Sequence, residues 1–378
     1  MVEILAVPGI HETQAFAFRK TAVSVLIDSL DMLLPQDIPT DSFIADWTLC
    51  HPVCAAILEK EIADREEITN SAMAEQLERV LAQIPPAGKT ISDPDGQPDD
   101  LAHDAYFHVR RVEQEQAAVL VRSVLCARLV FLREVDEAPV TISNKELERI
   151  DRGFADFLSC LCGGCLNAAP YVTEWQSRGE TYHAKRRWVR GHLVFASLTQ
   201  GLILAFRSLG QGLRAGITEE VQRLADLSVS LLDASAGAFL FTGDFPPEEY
   251  ESSIRPSMTP PASPVGLSGL MSADHRYLAQ TMRDMRPALT SLAEQEPQRH
   301  ERIAAALSGV YDSHIHVCER FVGPRPSILT AGRTERSGPS LIEQFKTLRL
   351  KPFEHAQRAL RLAAERPKAT LGECPFHK

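Results

Sequence analysis

Apolar residues recur at intervals of three and four along most of this chain, with polar residues between them. This spacing is typical of the buried face of an α-helix, whereas the strict alternation of a half-buried strand is rare. The pattern therefore predicts an all-α fold. The expected helices cover residues 14–33, 43–62, 69–84, 101–133, 144–166, 181–212, 218–240, 274–295, 299–322 and 353–365.

Two polar, proline-rich stretches interrupt the helical pattern, near residues 85–100 and 245–266. We predict loops at both places, the second of them mobile and serving either as a connector between packed halves or as a lid. A flexible tail is expected near residues 366–378. Because the chain is long enough to bury a large core, we predict a single helical domain over residues 1–378.

Composition excludes several classes of function. The net charge of −10 and the pI of about 5.7 do not suit a nucleic-acid surface. The segment that follows Met1 lacks the basic region and long apolar core of a signal peptide, and the most apolar stretches carry charges such as Arg122 and Asp226. We therefore expect a cytoplasmic protein without a membrane span, whose thiols are mostly reduced.

Candidate chemistry is concentrated in the segment Ser313-His314-Ile315-His316-Val317-Cys318-Glu319-Arg320. A helix places His314 and Cys318 one turn apart on its apolar side, while His316 points elsewhere. The imidazole of His314 suits an axial position on haem iron. Cys318, about 6 Å further along the helix, would then lie near the porphyrin rim, where a vinyl group accepts a thioether. The alternative is a hydrogen-bonded core histidine beside a buried thiol.

His275 lies on a second apolar stripe at helical spacing, which a kink at Pro287 interrupts. Ser272 is a suitable N-cap and places His275 in the first turn, where the positive end of the helix dipole keeps the imidazole neutral and able to bind metal. His275 and His314 on facing helices therefore form a candidate axial pair. A satisfied core histidine beside flexible methionines is the other interpretation.

The run His-Ile-His-Val-Cys-Glu-Arg-Phe-Val-Gly from His314 to Gly323 resembles the proximal haem helix of the tryptophan 2,3-dioxygenase superfamily. The order of His275, a long gap and His314-x-x-x-Cys318 is similar, more specifically, to the haem-dependent 3-methyl-L-tyrosine hydroxylases of saframycin-type antibiotic biosynthesis. This resemblance implies a c-type haem with a single thioether to Cys318 and with His275 and His314 as iron ligands. It also implies a helical dioxygenase-like fold and peroxide-driven hydroxylation of 3-methyl-L-tyrosine to 5-hydroxy-3-methyl-L-tyrosine.

The loop that follows the motif departs from the dioxygenase pattern. It reads Thr330-Ala331-Gly332-Arg333-Thr334-Glu335-Arg336-Ser337-Gly338 where the dioxygenases have a Gly-Thr-Gly-Gly loop that holds substrate. By position and analogy, Arg333 and Arg336 are candidates for binding the carboxylate of the substrate. The cationic segment 182–192 is a further candidate for haem propionates or a carboxylate, with a solvated helix face as the alternative.

The resemblance also suggests how the reaction proceeds. A thioether to Cys318 would tie the porphyrin to the helix of His314, so we expect His275 to be the ligand that leaves. The released imidazole of His275, neutral at pH 7, would then carry the proton that peroxide cleavage requires, which makes His275 the candidate catalytic residue. The expected partners are an aromatic amino acid and hydrogen peroxide, not nucleic acid or membrane, and a homodimer is compatible with the sequence.

Three other interpretations stay open at this point. One is a haem oxygenase of the tryptophan dioxygenase type, one is a non-enzymatic haem sensor or carrier with two histidine ligands, and one is a helical protein without haem. In addition, Cys160, Cys162 and Cys165 supply three thiols within six residues, which could begin a zinc or iron–sulfur site, although a fourth ligand is not evident.

Overall fold

The computed structural model describes residues 3–5, 67–83, 98–112, 117–161, 171–264, 267, 272–325 and 337–365. Within these ranges the fold is almost wholly helical, which confirms the predicted all-α class. The helices are α1 (Asn70–Leu81), α2 (Pro98–Phe107), α3 (Ala117–Glu137), α4 (Asn144–Leu161), α5 (Ala184–Ala215), α6 (Thr218–Thr242), α7 (Pro247–Glu249), a π-helix (Tyr250–Ile254), α8 (Arg255–Ser257), α9 (Ala273–Asp284), α10 (Arg286–Gln295), α11 (Pro297–Phe321) and α12 (Gly338–Glu365). Two short strands, β1 (Glu3–Leu5) and β2 (Arg110–Val112), pair in parallel.

The predicted helix bounds are corrected at three places. The expected helix 101–133 is two helices, α2 and α3, with β2 between them. The expected helix 274–295 is α9 and α10, because Pro287 has no N–H to continue α9 and instead lies in the first turn of α10. The last helix begins at Gly338 and carries Pro352 in its interior, so the start predicted at residue 353 is wrong.

Helix α6 lies at the centre of the described fold, packed along α4, α5 and α11. Its approach to α4 is close enough that a Cβ at Gly153 would stand 2.4 Å from the Cβ of Ala234, so only glycine fits there. A continuous apolar core extends from Ile68 to Ala356. The candidate site is therefore built on helices that this core holds in place.

Helices α5 and α6 are long and apolar enough to cross a membrane by length and composition alone. However, 78% and 72% of their most apolar windows are buried inside the fold, which is how core helices of a globular protein pass the same test. The expectation of no membrane span stays a prediction.

The cationic start of α5 is an internal ion-pair network rather than a solvated helix face. Arg187 is fully buried and donates to Glu134 at 3.2 Å and to Asp244 at 3.1 Å. Arg186 and Arg190 donate to the same Glu134, at 3.0 and 2.8 Å. Because buried charges need partners of opposite sign, these arginines are committed to holding α3, α5 and the end of α6 together.

The predicted mobile loop near residues 245–266 is also corrected. Its described part is mostly helical and packs as a cover over the end of α11, where Tyr250 stacks on Phe321 at 4.7 Å between ring centroids. Ile254 and Met258 are buried in the same cluster. A packed cover fits the connector interpretation and gives no support to a lid.

The remaining predictions concern segments outside the described residues. They are the helices 14–33 and 43–62, residues 85–97 of the first loop, and the tail at 366–378.

Candidate active site

Four histidines from four helices converge in the interior. They are His103 on α2, His192 on α5, His275 on α9 and His314 on α11. The charge of His275 lowers the pKa of His314, and the charge of His103 lowers the pKa of both His192 and His275. Charges influence one another in this way only over short distances. The predicted pair His275 and His314 is therefore brought together, with two further imidazoles beside it.

Three of these imidazoles are held neutral. Burial is the main cause that lowers the pKa of His192 to about 3 and the pKa values of His275 and His314 to about 4. At pH 7 each ring therefore keeps a nitrogen lone pair, which is the form that binds metal or accepts a proton. All three rings nevertheless keep some accessible surface. A side chain that is surrounded by protein on most sides and still partly accessible lines a space that a bound group can enter.

His314 and Cys318 lie one turn apart on the same half-buried face of α11, as the sequence predicts, and His316 is exposed. The ring of His314 stacks on Phe239 of α6, with centroids 4.3 Å apart and planes inclined by 16°. Burial raises the pKa of Cys318 to about 11, so its thiol stays protonated. This face of α11 therefore presents a neutral imidazole and a protonated thiol one turn apart.

His275 occupies the first turn of α9, and the predicted N-cap is present. The side chain of Ser272 accepts a hydrogen bond from the backbone N–H of His275 at 3.5 Å. The positive end of this helix disfavours a second positive charge on the ring, in the same direction as burial does. The position of His275 at the start of a helix of 12 residues contrasts with that of His314, deep within a helix of 25.

The sequence analysis did not identify His192 as a site residue, because His192 is the last residue of the cationic segment 182–192. Its Nδ1 lies 2.7 Å from the carbonyl oxygen of Trp188 and donates to it, which leaves Nε2 as the lone-pair nitrogen. The ring stacks on Phe107 at 3.9 Å. One sequence signal could have identified it. Spacings of four and three residues separate Trp188, His192 and Phe195, which places the three side chains on one face of a helix.

We predict that His192 makes the stability of the protein depend on pH. Its pKa of about 3 in the folded state lies below its ordinary value of 6.5, so the unfolded chain binds a proton that the folded chain does not. The stabilisation is complete above pH 6.5 and declines as pH falls towards 3, by at most about 1.4 kcal/mol per pH unit. Urea unfolding at several pH values should show that His192→Phe, which keeps the stacking, makes the slope smaller, and that the part due to His275 and His314 stays.

The exposed His183, which immediately precedes α5, provides the control, because His183→Phe removes a histidine that is not buried. Its pH dependence should match that of the wild type. An unchanged slope in His192→Phe would show that His192 is not held neutral by the fold.

The walls of the site are aromatic and contain one unsatisfied donor. The indole Nε1 of Trp188 is buried and has no hydrogen-bond partner among the residues that the structure describes. Trp188 also contacts His192, at 4.6 Å between ring centroids, and Tyr250, at 5.8 Å. A buried N–H without a partner is costly, so it indicates that a bound group completes the site.

These residues fit a haem better than a bare metal ion. Among the described residues, no group of three or more histidine, cysteine or acidic side chains could hold a metal ion. A haem needs only one or two ligands from the protein, because the porphyrin supplies the rest, and it needs apolar walls. His275 and His314 would supply the ligands, and Cys318 stands one turn from His314.

Several candidates from the sequence are not among the residues that the structure places at this site. Arg333 and Arg336 are outside the described residues, as are Cys162 and Cys165. Cys160 is buried in the core, where the Nη1 of Arg223 donates to its sulfur at 2.8 Å and burial raises its pKa to about 12. A surface cleft of about 710 Å³ beside the start of α5 contains none of the four site histidines.

Comparison with known proteins gives matches to a single group. A family model described as SfmD 3-methyl-L-tyrosine peroxygenase matches residues 31–303. The 3-methyl-L-tyrosine peroxygenase of Streptomyces lavendulae is 32% identical over 286 residues, which are 74% of this chain and 78% of that protein. A crystal structure of reduced SfmD, soaked with sodium hydrosulfite, has a TM-score of 0.64 at 29% identity and covers 75% of this chain and 95% of its own.

The all-helical fold, which resembles that of reduced SfmD, and the match to a peroxygenase family together define the class, an oxidoreductase. The extent of the match then shows that the chain belongs to the SfmD 3-methyl-L-tyrosine peroxygenase family, and it is a peroxygenase enzyme. The family match ends at residue 303, before His314 and Cys318. The roles of these two residues therefore depend on the geometry described above.

Proposed function

We propose that this protein is a haem-dependent peroxygenase that hydroxylates the ring of 3-methyl-L-tyrosine to give 5-hydroxy-3-methyl-L-tyrosine. The observation that carries the proposal is the pair of neutral imidazoles, His275 and His314, at one internal site with Cys318 a turn beyond His314. When bound, the haem supplies the iron that activates hydrogen peroxide for oxygen transfer. One peroxide oxygen enters the ring and the other leaves as water.

His314 and Cys318 would hold the cofactor from α11. This helix packs along both α6 and α12, so its side chains are fixed by the core on two sides. The stacking of His314 on Phe239 also restricts the orientation of the ring. A thioether from Cys318 would form when its S–H adds across a porphyrin vinyl group, with the proton going to the neighbouring carbon. Two attachments on one rigid helix give His314 a high effective concentration at the iron.

His275 is the ligand better placed to leave. It lies in the first turn of α9, a short helix that packs chiefly against α5 and ends at the break before α10. Helix α11, in contrast, packs along α6, α10 and α12, and the first turn of a helix has the fewest backbone hydrogen bonds. Withdrawal of His275 would open a position for peroxide and leave a neutral imidazole next to it.

Cleavage of peroxide needs a proton moved from one oxygen to the other, and two imidazoles can move it. His275 is the first, once it is released. His192 is the second, because the hydrogen bond from its Nδ1 to the Trp188 carbonyl presents Nε2 as a proton acceptor. Removal of such a proton carrier typically reduces a rate by about 10² to 10⁴.

The aromatic walls suit an aromatic substrate. Phe107, Phe195, Phe239 and Trp188 surround the histidines, and rings pack well against rings in offset or edge-on arrangements. The buried Nε1 of Trp188 would satisfy its hydrogen bond on an oxygen of the bound group. Such a site does not suit an electron carrier with an exposed haem edge, and the membership of a peroxygenase family disfavours a sensor.

The source of the oxygen atom tests the proposal. With 3-methyl-L-tyrosine and heavy-oxygen-labelled hydrogen peroxide, the catechol product should carry the label, and with labelled dioxygen it should not. L-Tyrosine should be a poorer but detectable substrate, since one methyl group in an apolar pocket contributes roughly 1 to 3 kcal/mol. Label from dioxygen alone, or ring-opened tryptophan as the product, would instead indicate an oxygenase of the dioxygenase type. A purified protein without a Soret band would contradict the proposal that the protein binds haem.

The remaining expectations stay predictions. They are cytoplasmic location, a role in antibiotic biosynthesis, a homodimer, and the binding of a substrate carboxylate by Arg333 and Arg336.

A further inference from the structure

Arg349 on α12 lies between the two helices that carry His275 and His314. Its Nη1 is 3.4 Å from the carbonyl oxygen of Ala279 on α9. Burial raises the pKa of Tyr311 on α11 and the guanidinium of Arg349 acts against it, so the guanidinium also lies close to that phenol. Ala279 comes one turn after His275, and Tyr311 comes one turn before His314. The guanidinium is therefore about one helical turn from each histidine, at the edge of their site.

This half-buried arginine has no acidic partner among the described residues. Arg187, for comparison, pairs with both Glu134 and Asp244. The acid nearest in sequence to Tyr311 is Asp312, which pairs instead with Lys346 at 2.6 Å. A half-buried guanidinium without a counter-ion is costly, and a bound anion would offset that cost.

The positive charge of Arg349 reaches the site. It is the second cause, after burial, that lowers the pKa of His275. Arg276 acts in the same direction but is paired with Asp100, with an N–O distance of 2.5 Å. Arg349 is thus a positive charge beside the neutral histidines that no described acid neutralises.

We infer that Arg349 and Tyr311 form a binding site for a carboxylate at the edge of the His275–His314 site. A guanidinium matches a carboxylate with two parallel hydrogen bonds, and the phenol O–H can donate a third. This inference rests on the proposed function, which supplies two sources of the carboxylate, a haem propionate and the amino-acid group of the substrate. It places anion binding on α12 rather than in the loop that contains Arg333 and Arg336.

Arg349→Gln tests the site, with Arg358→Gln as a matched control because Arg358 is exposed on the same helix. In the first arm, the holoenzyme is titrated with 3-methyl-L-tyrosine and with its decarboxylated amine. If the substrate carboxylate binds Arg349, the variant should weaken binding of the amino acid about 10- to 100-fold and leave binding of the amine unchanged. Arg349→Lys, which keeps the charge without the two-pronged geometry, should lie between the wild type and Arg349→Gln.

In the second arm, each substitution is combined with Cys318→Ala so that haem can exchange. Loss of haem to apomyoglobin is then measured for haem and for haem dimethyl ester, whose propionates carry no charge. If a propionate binds Arg349, Arg349→Gln should speed the loss of haem about 10-fold or more and leave the loss of the ester unchanged. Arg358→Gln should change neither rate.

The inference is overturned if neither arm depends on Arg349 while circular dichroism shows a folded variant. It is also overturned if acid and amine, or haem and ester, are weakened equally, because Arg349 would then have only a structural role. A protein that binds no haem contradicts the proposed function instead, and titration of that protein with the amino acid and the amine still tests Arg349.

Discussion

Replacement of Cys318 by alanine is expected to release all of the haem into acid acetone, whereas the wild-type protein should keep it. The reason is geometric. Cys318 lies one turn beyond His314 on the same half-buried face of α11, and a Cβ at Gly338 would lie only 4.0 Å from its sulfur, so the start of α12 closes the space behind the thiol. The measurement is the fraction of haem that stays with the polypeptide after extraction.

Cys126→Ala is the control, because Cys126 is also partly buried but belongs to α3. Its haem should stay attached. Covalent haem in the Cys318→Ala protein would assign the attachment to another residue. Complete extraction from the wild type would show that the haem, if bound, has no thioether.

Periodicity was sufficient to predict the helices whose apolar stripes face one core. The bounds of α6 and α11 differ from prediction by two residues or fewer at each end. Periodicity failed where a tertiary contact decides the local structure. Pro352 is a helix breaker by propensity, yet α12 continues through it. The reason is that the next turn is held by the core, since Phe353 and Ala356 are buried and α12 packs against α10 and α11.

The candidate site could be predicted only in part, for a related reason. Spacing within one helix identifies His314 with Cys318, since both residues share a helix face. No local rule connects His192 with His314, which are separated by more than 100 residues and meet only through the packing of α5, α6 and α11. The arginines of the segment 182–192 show the same limit, because their partners, such as Glu134, belong to another helix.

The two histidine ligands are expected to respond differently to replacement. His314→Ala should lose most of its haem or show a severely altered spectrum, because His314 is stacked on Phe239 within the rigid helix α11. His275→Ala should keep its haem and change from a low-spin six-coordinate to a high-spin spectrum, with turnover reduced by about 10² to 10⁴. The measurements are haem content per chain, the absorption spectrum of the resting protein and the rate of catechol formation.

The exposed His316 provides the matched control on α11, since His316→Ala removes an imidazole two residues from His314 without touching the internal site. It should leave haem content and spectrum unchanged.

If His275→Ala kept the wild-type spin state and rate, His275 would be a buried core histidine. His192 would then be the first candidate for the second ligand, because it is neutral, presents Nε2 and lies close enough to His314 to be influenced by its charge. Replacement of both His275 and His192 by alanine tests whether His192 is the second ligand. If it is, the double variant should become high-spin, and if it is not, the double variant should keep the low-spin spectrum of His275→Ala.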